Sequence, residues 1–370
     1  MRTLKNIDFL IEKAYKNTIT KPEDVQQNVL EHENILYIKD KQTGLRAVIA
    51  IHDTTLGPAF GTVNIQKYDH VNKAFEDVIK YSRSATYNAA LAGLSIGGAH
   101  AILLTNEDET VTPEQLRKFG TYINLLKGKF IATPSATITT TDFNYIKETT
   151  AHTISFQRKT LNLATFTAYG VLEGLKASAF YLWGTEELNR HSIVVQGVGN
   201  VGTQIIEFLL KDGAEIFIAD NNHEKVEALV QRFPQLNAIA PEDVITFDAD
   251  ILIPAATSGV INEFNIPLLH YKLIAGPAEN QLNNEEEDGK LLEEHGILFT
   301  PDFLINTGSL ITNYFEYVQA DKEHLQTKIE KIYMNTLETF FYAKKHNIPP
   351  IVAAKKLVKT YLNQVQIRKN

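Results

Sequence analysis

Six residues, Gly197-Val198-Gly199-Asn200-Val201-Gly202, restrict the architecture of this chain more than any other feature. They follow an apolar run, Ser192-Ile193-Val194-Val195-Gln196, and open a stretch from Thr203 to Leu210 with helical periodicity. A second apolar run, Glu215-Ile216-Phe217-Ile218-Ala219, then ends in Asp220. Strand, glycine turn, helix and a second strand ending in an acid together form the opening of a dinucleotide-binding βαβ unit. Each glycine has a task in such a unit. Gly197 makes the tight turn, Gly199 lets backbone approach a pyrophosphate, and Gly202 lets helix and strand pack closely. The N-terminus of that helix offers unpaired N–H groups and a positive end to phosphate, with Asn200 and Val201 of the turn among the candidate contacts. Asp220 can accept hydrogen bonds from a ribose 2′-hydroxyl and would repel a 2′-phosphate. Asn221 and Asn222 bring no arginine, so the pattern predicts NAD rather than NADP.

The rest of the second half keeps this alternation. Helical patterns at 163–180 and 224–232 flank strand patterns at 251–253, 273–275 and 298–299, which implies a doubly wound parallel sheet. The first half mixes its elements. It reads as a helical stretch at 3–15, a hairpin of 35–38 with 45–52, a further edge strand at 64–68 and a long helix at 73–92. A glycine-rich break at 93–100, a buried strand at 101–104, a helix opened by Thr112-Pro113 and a strand at 130–132 follow. The tail after Asp321 is helical. The predicted fold is therefore α/β: an N-terminal mixed α/β substrate domain, 1–152, completed by a C-terminal helix, 346–370, and a Rossmann domain, 153–345.

Composition removes several alternatives. A net charge of −8 without a basic block argues against nucleic-acid binding. The chain has no cysteine, hence no disulfide and no thiolate chemistry. Its first residues are too polar for a signal peptide, and no apolar run reaches the ~18 residues of a membrane span. No His/Asp/Glu spacing suggests a metal site. The expectation is a cytoplasmic protein with no membrane partner.

Several further segments carry a resemblance. They are 44–59, with Gly44-Leu45-Arg46-Ala47 and Ile51-His52-Asp53-Thr54-Thr55-Leu56-Gly57-Pro58-Ala59, and Ser82-Arg83 through Gly93-Leu94-Ser95-Ile96-Gly97-Gly98. Beyond these come Thr167-Ala168-Tyr169-Gly170-Val171, the glycine turn, Ile274 to Leu282, and Pro301-Asp302-Phe303-Leu304-Ile305-Asn306. In this order they make the chain resemble the glutamate/leucine/phenylalanine/valine dehydrogenase family, particularly the shorter leucine and phenylalanine dehydrogenases. The resemblance implies oxidative deamination of L-amino acids with a nicotinamide cofactor, a cleft between two domains, and a homo-oligomer assembled through the N-terminal domain. It also implies cofactor contacts at Thr167, at Ala255 and Ala256 where the chain leaves a strand, and at Asn280. The substrate pocket would include Gly61, Asn88, Asn306 and Leu310.

The chain departs from that family where its chemistry resides. The lysine that holds the substrate carboxylate falls on Asn88. The catalytic lysine falls on His100, after Ala99 in place of a third glycine. The proton-shuttling aspartate falls on Ser135, and the double glycine after Pro58-Ala59 is Phe60-Gly61-Thr62. An imidazole titrates near neutrality, so His100 is the candidate acid/base, with Asn88 and Ser135 beside it in the pocket. Arg83 is a candidate replacement for the missing charge, His52 reads as a packed structural histidine, and 283–288 as a solvated loop leading into a helix. Two functions stand: a diverged NAD-dependent oxidoreductase acting on a CH–NH2, imine or CH–OH group, and a catalytically silent homologue that binds NAD or acts through assembly.

Overall fold

The computed structural model describes residues 31–105, 110–135, 137–154, 162–320 and 322–369. The helical expectation at 3–15 lies outside them. The described residues up to 154, with Val365–Lys369, form one compact unit, and those from 162 to 364 form another. Of the last helix, only its final turn groups with the first unit, where the Lys369 ammonium donates to the Thr55 carbonyl at 2.6 Å.

The first unit is built on a five-stranded sheet ordered β1-β2-β4-β3-β5. β1 (Asn34–Lys39) and β2 (Arg46–Asp53) form the expected hairpin, and β2 pairs antiparallel with β4 (Gly97–Thr105). β3 (Ala59–Lys67) runs parallel to both β4 and β5 (Phe130–Pro134). The edge strand read at 64–68 thus starts earlier, at Ala59, and lies inside the sheet. Its first residues look like loop in sequence, and pairing on both sides makes them strand.

Helix α1 (Val71–Leu91) covers one face of this sheet, burying Val78 and Ile79 against Val48, Ala50 and Ile102. It ends at Gly93, whose φ of +59° is the left-handed conformation that closes a helix. The other face packs on α2 (Pro113–Leu125) and α3 (Thr140–Lys147) through Leu116, Phe119, Ile123, Phe143 and Ile146. Thr112 and Gln115 make a capping box at the start of α2. Gly97 and Gly98 begin β4 itself. A Cβ on Gly98 would lie 2.1 Å from the Thr86 nitrogen, so the glycine lets α1 sit directly on the strand.

The second unit holds six parallel strands ordered β11-β10-β9-β6-β7-β8. These are β6 (Ser192–Gln196), β7 (Glu215–Ala219), β8 (Asn237–Ala238), β9 (Ile251–Pro254), β10 (Leu273–Ile274) and β11 (Leu298–Phe299). Among them run α4 (Leu163–Trp183), α5 (Asn200–Lys211), α6 (His223–Arg232), α7 (Glu285–Glu294), α8 (Asp302–Ile305) and α9 (Gly308–Tyr317), followed by α10 (Lys322–His346) and α11 (Pro350–Lys369). Chain order reverses between β6 and β9, the switch point where open α/β sheets bind ligands. The acidic run at 283–288 is more than a solvated loop. Asn284 caps α7, Glu285 pairs with Lys355 at 2.7 Å, and Asp288 is buried. Acids in a first helical turn face its positive end. No helix among the described residues is long and apolar enough to cross a membrane. No group of three or more acidic or histidine side chains is placed to hold a metal among them.

Candidate cofactor and substrate sites

The glycine turn lies at the carboxyl end of β6. Gly197 has φ +107°, and a Cβ there would lie 2.8 Å from the Ala255 carbonyl group. A Cβ on Gly202 would lie 2.1 Å from the Gly197 oxygen. These two glycines are demanded by the fold. Gly199 is different: its φ of −69° suits any residue, and a Cβ on it would meet nothing within 4 Å. The open side of Gly199 is the space a pyrophosphate needs. Helix α5 begins there with no side-chain cap, leaving its first N–H groups directed beyond the turn at Asn200 and Val201.

Asp220 follows β7 and accepts the Val198 N–H at 2.8 Å and the Asn222 N–H at 2.9 Å. The same carboxylate therefore braces the turn and presents negative charge where an adenosine ribose would lie. Asn221 is exposed beside it. Ala255 and Ala256 leave β9 against Gly197, with the Ala255 N–H donating to the Gln196 carbonyl at 2.7 Å. Thr167 is buried in α4, and its backbone is where Gly308 makes close approach. The neighbouring Thr165 hydroxyl ties α4 to α5 through Gln204 at 2.7 Å. These residues fit a dinucleotide with a free 2′-hydroxyl, which is NAD.

A second rim is formed by the loops after β9, β10 and β11. Asn280 adopts φ +52°, and its N–H donates to the Asp302 carboxylate at 2.6 Å. Its carbonyl accepts the Gly259 N–H at 2.9 Å. Asn306 is buried and donates through Nδ2 to the Pro277 carbonyl at 3.3 Å. Leu310 lies half-buried in the first turn of α9. Burial and the nearby Glu285 and Glu279 push the Asp302 carboxyl up to about 7, against backbone N–H groups that pull it down. Sequence reading passed over Asp302. Its signal was a charge at the head of an apolar run, Phe303-Leu304-Ile305, all buried.

In the first unit, His100 lies on β4 facing α1. It is 5% exposed. Its Nδ1 lies 3.0 Å from the Thr62 hydroxyl, and its ring lies against Tyr81 at 4.8 Å between centroids. Nε2 is buried with no hydrogen-bond partner. Burial pushes the imidazole down to about 3, so His100 is neutral at physiological pH. A group removed from water disfavours its charged form. Thr62, not Gly61, shares the His100 face. A Cβ on Gly61 would lie 2.8 Å from Phe130 on the opposite face.

Ser135 follows β5. Its hydroxyl donates to the Val63 carbonyl at 2.8 Å and lies 2.9 Å from the Thr137 hydroxyl, which accepts the Ile65 N–H at 3.0 Å. These side chains continue the β3–β5 ladder beyond Pro134. Asn88 is half-buried on the last turn of α1, and Arg83 lies on the same helix. His52 is buried, with Nδ1 2.9 Å from the Thr86 hydroxyl, as a structural histidine would be.

Comparison with known proteins gives the family. Residues 32–157 match the Glu/Leu/Phe/Val dehydrogenase dimerisation domain, and residues 217–363 match the glutamate/leucine/phenylalanine/valine dehydrogenase domain. The chain is 36% identical over 330 residues to leucine dehydrogenase of Geobacillus stearothermophilus, covering 88% of this chain and 89% of the relative. The crystal structure of L-tryptophan dehydrogenase from Nostoc punctiforme superposes with a TM-score of 0.79 at 33% identity, covering 92% of this chain and 99% of that one. The hetero-hexameric glutamate dehydrogenase of Thermus thermophilus shares the fold at 18% identity, with a TM-score of 0.73 over 95% of this chain and 99% of that one. The chain belongs to the glutamate/leucine/phenylalanine/valine dehydrogenase family of oxidoreductases.

Proposed function

We propose that this chain is an NAD-dependent oxidoreductase whose substrate is not an ordinary amino acid held by its carboxylate and ammonium groups. The glycine turn carries the reading. Packing fixes Gly197 and Gly202 but leaves Gly199 open, a division that a bound dinucleotide explains. When bound, NAD supplies the hydride donor or acceptor. Asp220 then holds the adenosine ribose, the start of α5 faces the pyrophosphate, and Asn280 and Asn306 flank the reacting end, with Leu310 lining the pocket.

On the substrate side the three replaced positions bring no charge at neutral pH. Deamination of an amine needs stabilisation of cationic and carbinolamine states and a base for the ammonium proton. His100 supplies neither a cation nor a strong base. If the Thr62 hydroxyl donates to Nδ1, the proton resides on Nε2, which is then a neutral donor suited to a carbonyl or hydroxyl oxygen. The relatives act on leucine, phenylalanine and tryptophan by name, and this chain is proposed to act on a smaller set of charges. It assembles as a homo-oligomer through the unit that matches the dimerisation domain.

Two observations favour the silent alternative: His100 Nε2 is buried, and the Ser135 hydroxyl is engaged by Val63 and Thr137. Calorimetric titration of NADH, paired with a turnover screen over amino acids, 2-oxo acids with ammonia, imines and alcohols, separates the readings. Turnover of an alcohol, carbonyl or imine supports the oxidoreductase. Binding without turnover supports the silent homologue. Robust deamination of leucine or phenylalanine overturns the substrate argument, and absence of NADH binding overturns the cofactor argument.

A further inference from the structure

One buried carboxyl joins three loops at the rim of the second sheet. Asp302 begins α8 and is 3% exposed. Its Oδ2 accepts the Asn280 N–H at 2.6 Å, a charge-assisted bond to a non-glycine residue in the left-handed region, φ +52°. That conformation needs external support, and the carbonyl of the same residue passes the support on. The Asn280 carbonyl accepts the Gly259 N–H, anchoring the loop that carries Ala255 and Ala256. The Asp302 carbonyl accepts the Asn306 N–H at 2.9 Å, and Asn306 Nδ2 holds the Pro277 carbonyl.

These loops follow β9, β10 and β11. Asp220 marks the adenosine side, beyond β7, and the switch point lies between β6 and β9. A dinucleotide crossing that point places its second half over the Asp302 rim. We infer that Asp302 is a positioning residue for the nicotinamide end: its carboxylate fixes the Asn280 peptide, so binding of the second half of the cofactor depends on whether this one carboxyl is ionised. The inference rests on the NAD-binding reading above.

The surrounding charges make that ionisation responsive. Glu279 lies in the same loop and Glu285 on α7, and both oppose the negative form. Lys355 of α11 pairs with Glu285 at 2.7 Å and lies 3.8 Å from Glu286, which offsets part of the repulsion from Glu285 and leaves Glu279 to oppose the carboxylate. Asp288 of α7 is committed to the Asn284 N–H at 2.6 Å. Burial first, and these charges after it, push the carboxyl up to about 7, within the range a cell visits. As pH rises through it, the carboxylate forms, the bond to Asn280 strengthens, and the nearby negative charge favours the cationic nicotinamide of the oxidised cofactor.

The test is calorimetry of NAD and of ADP-ribose, which lacks nicotinamide, on the full chain between about pH 6 and about pH 8, with Asp302→Asn as the variant. The expected result is that affinity for NAD rises about threefold or more across this range, while affinity for ADP-ribose stays level. Asp302→Asn keeps an acceptor for Asn280 and should flatten the NAD profile. Asp302→Ala should speed hydrogen exchange at the Asn280 amide, and Asp302→Asn should restore most of the protection. An unchanged NAD profile in Asp302→Asn overturns the inference, as does an ADP-ribose profile that matches NAD. If wild type binds neither ligand, the NAD reading itself fails and the inference falls with it; binding with no pH dependence sinks the inference alone.

Discussion

His100 and Asp302 are buried titratable groups shifted in opposite directions, and they tilt stability against pH in opposite senses. The imidazole falls from 6.5 to about 3, so between those values the unfolded chain binds more protons than the folded one. Stability from this group is complete above 6.5 and is lost as pH falls. The carboxyl rises from 3.8 to about 7, so the folded chain binds more protons in that window, and stability declines as pH rises through it. Each group contributes up to roughly 1.4 kcal/mol per pH unit inside its window. Urea titrations at several pH values should therefore show His100→Gln with a shallower rise of stability with pH than wild type, and Asp302→Asn with a steeper one. Identical slopes in all three proteins would show that neither shift exists. Thr62 gives a third prediction. Thr62→Val removes the one partner of a buried nitrogen and should cost about 1–3 kcal/mol by the same measurement, with Thr62→Ser close to wild type.

At the scale of elements, the turn between β6 and α5 separates two glycines that packing requires from a third, Gly199, that packing leaves open. Gly202→Ala drives a Cβ to 2.1 Å from backbone oxygen, so it should cost several kcal/mol of stability, about 3 or more. Gly199→Ala enters open space at a φ any residue adopts, so the melting temperature should be unchanged while NADH affinity drops about tenfold or more. Comparable loss of stability in both variants would remove the argument for a ligand at this turn. The turn was legible in the sequence because every part of it is local: strand, glycines, helix and Asp220 succeed one another along the chain. β3 was legible only in part, since Ala59 to Gly61 follow Gly57-Pro58 and become strand through pairing with β4 and β5. The partner of His100 was not legible at all. Thr62 meets it through a parallel register that no local pattern announces, and Asp302 finds Asn280 across a loop in the same way.

At the scale of the whole molecule, the proposed reading asks different things of the two units. The second retains the form of a dinucleotide site, with its strand order, glycine turn and acid in place. The first retains its sheet and helices, with a buried imidazole, a ladder-capping serine and an asparagine at the three positions where the proposed reading puts a loss of charge. Binding linkage can weigh the two halves in one experiment, because a ligand that binds only the folded chain stabilises it by RT ln(1 + [L]/Kd). NADH at about a hundred times its Kd should add about 2.7 kcal/mol. With NADH saturating, the proposed reading expects L-leucine or 2-oxo-4-methylpentanoate to add nothing further, since Asn88 and His100 would bring no lysine ammonium to the carboxylate. A further rise with leucine would mean that another cation has taken over the carboxylate, and the substrate side would then have to be rebuilt around that residue, with Arg83 the first to replace.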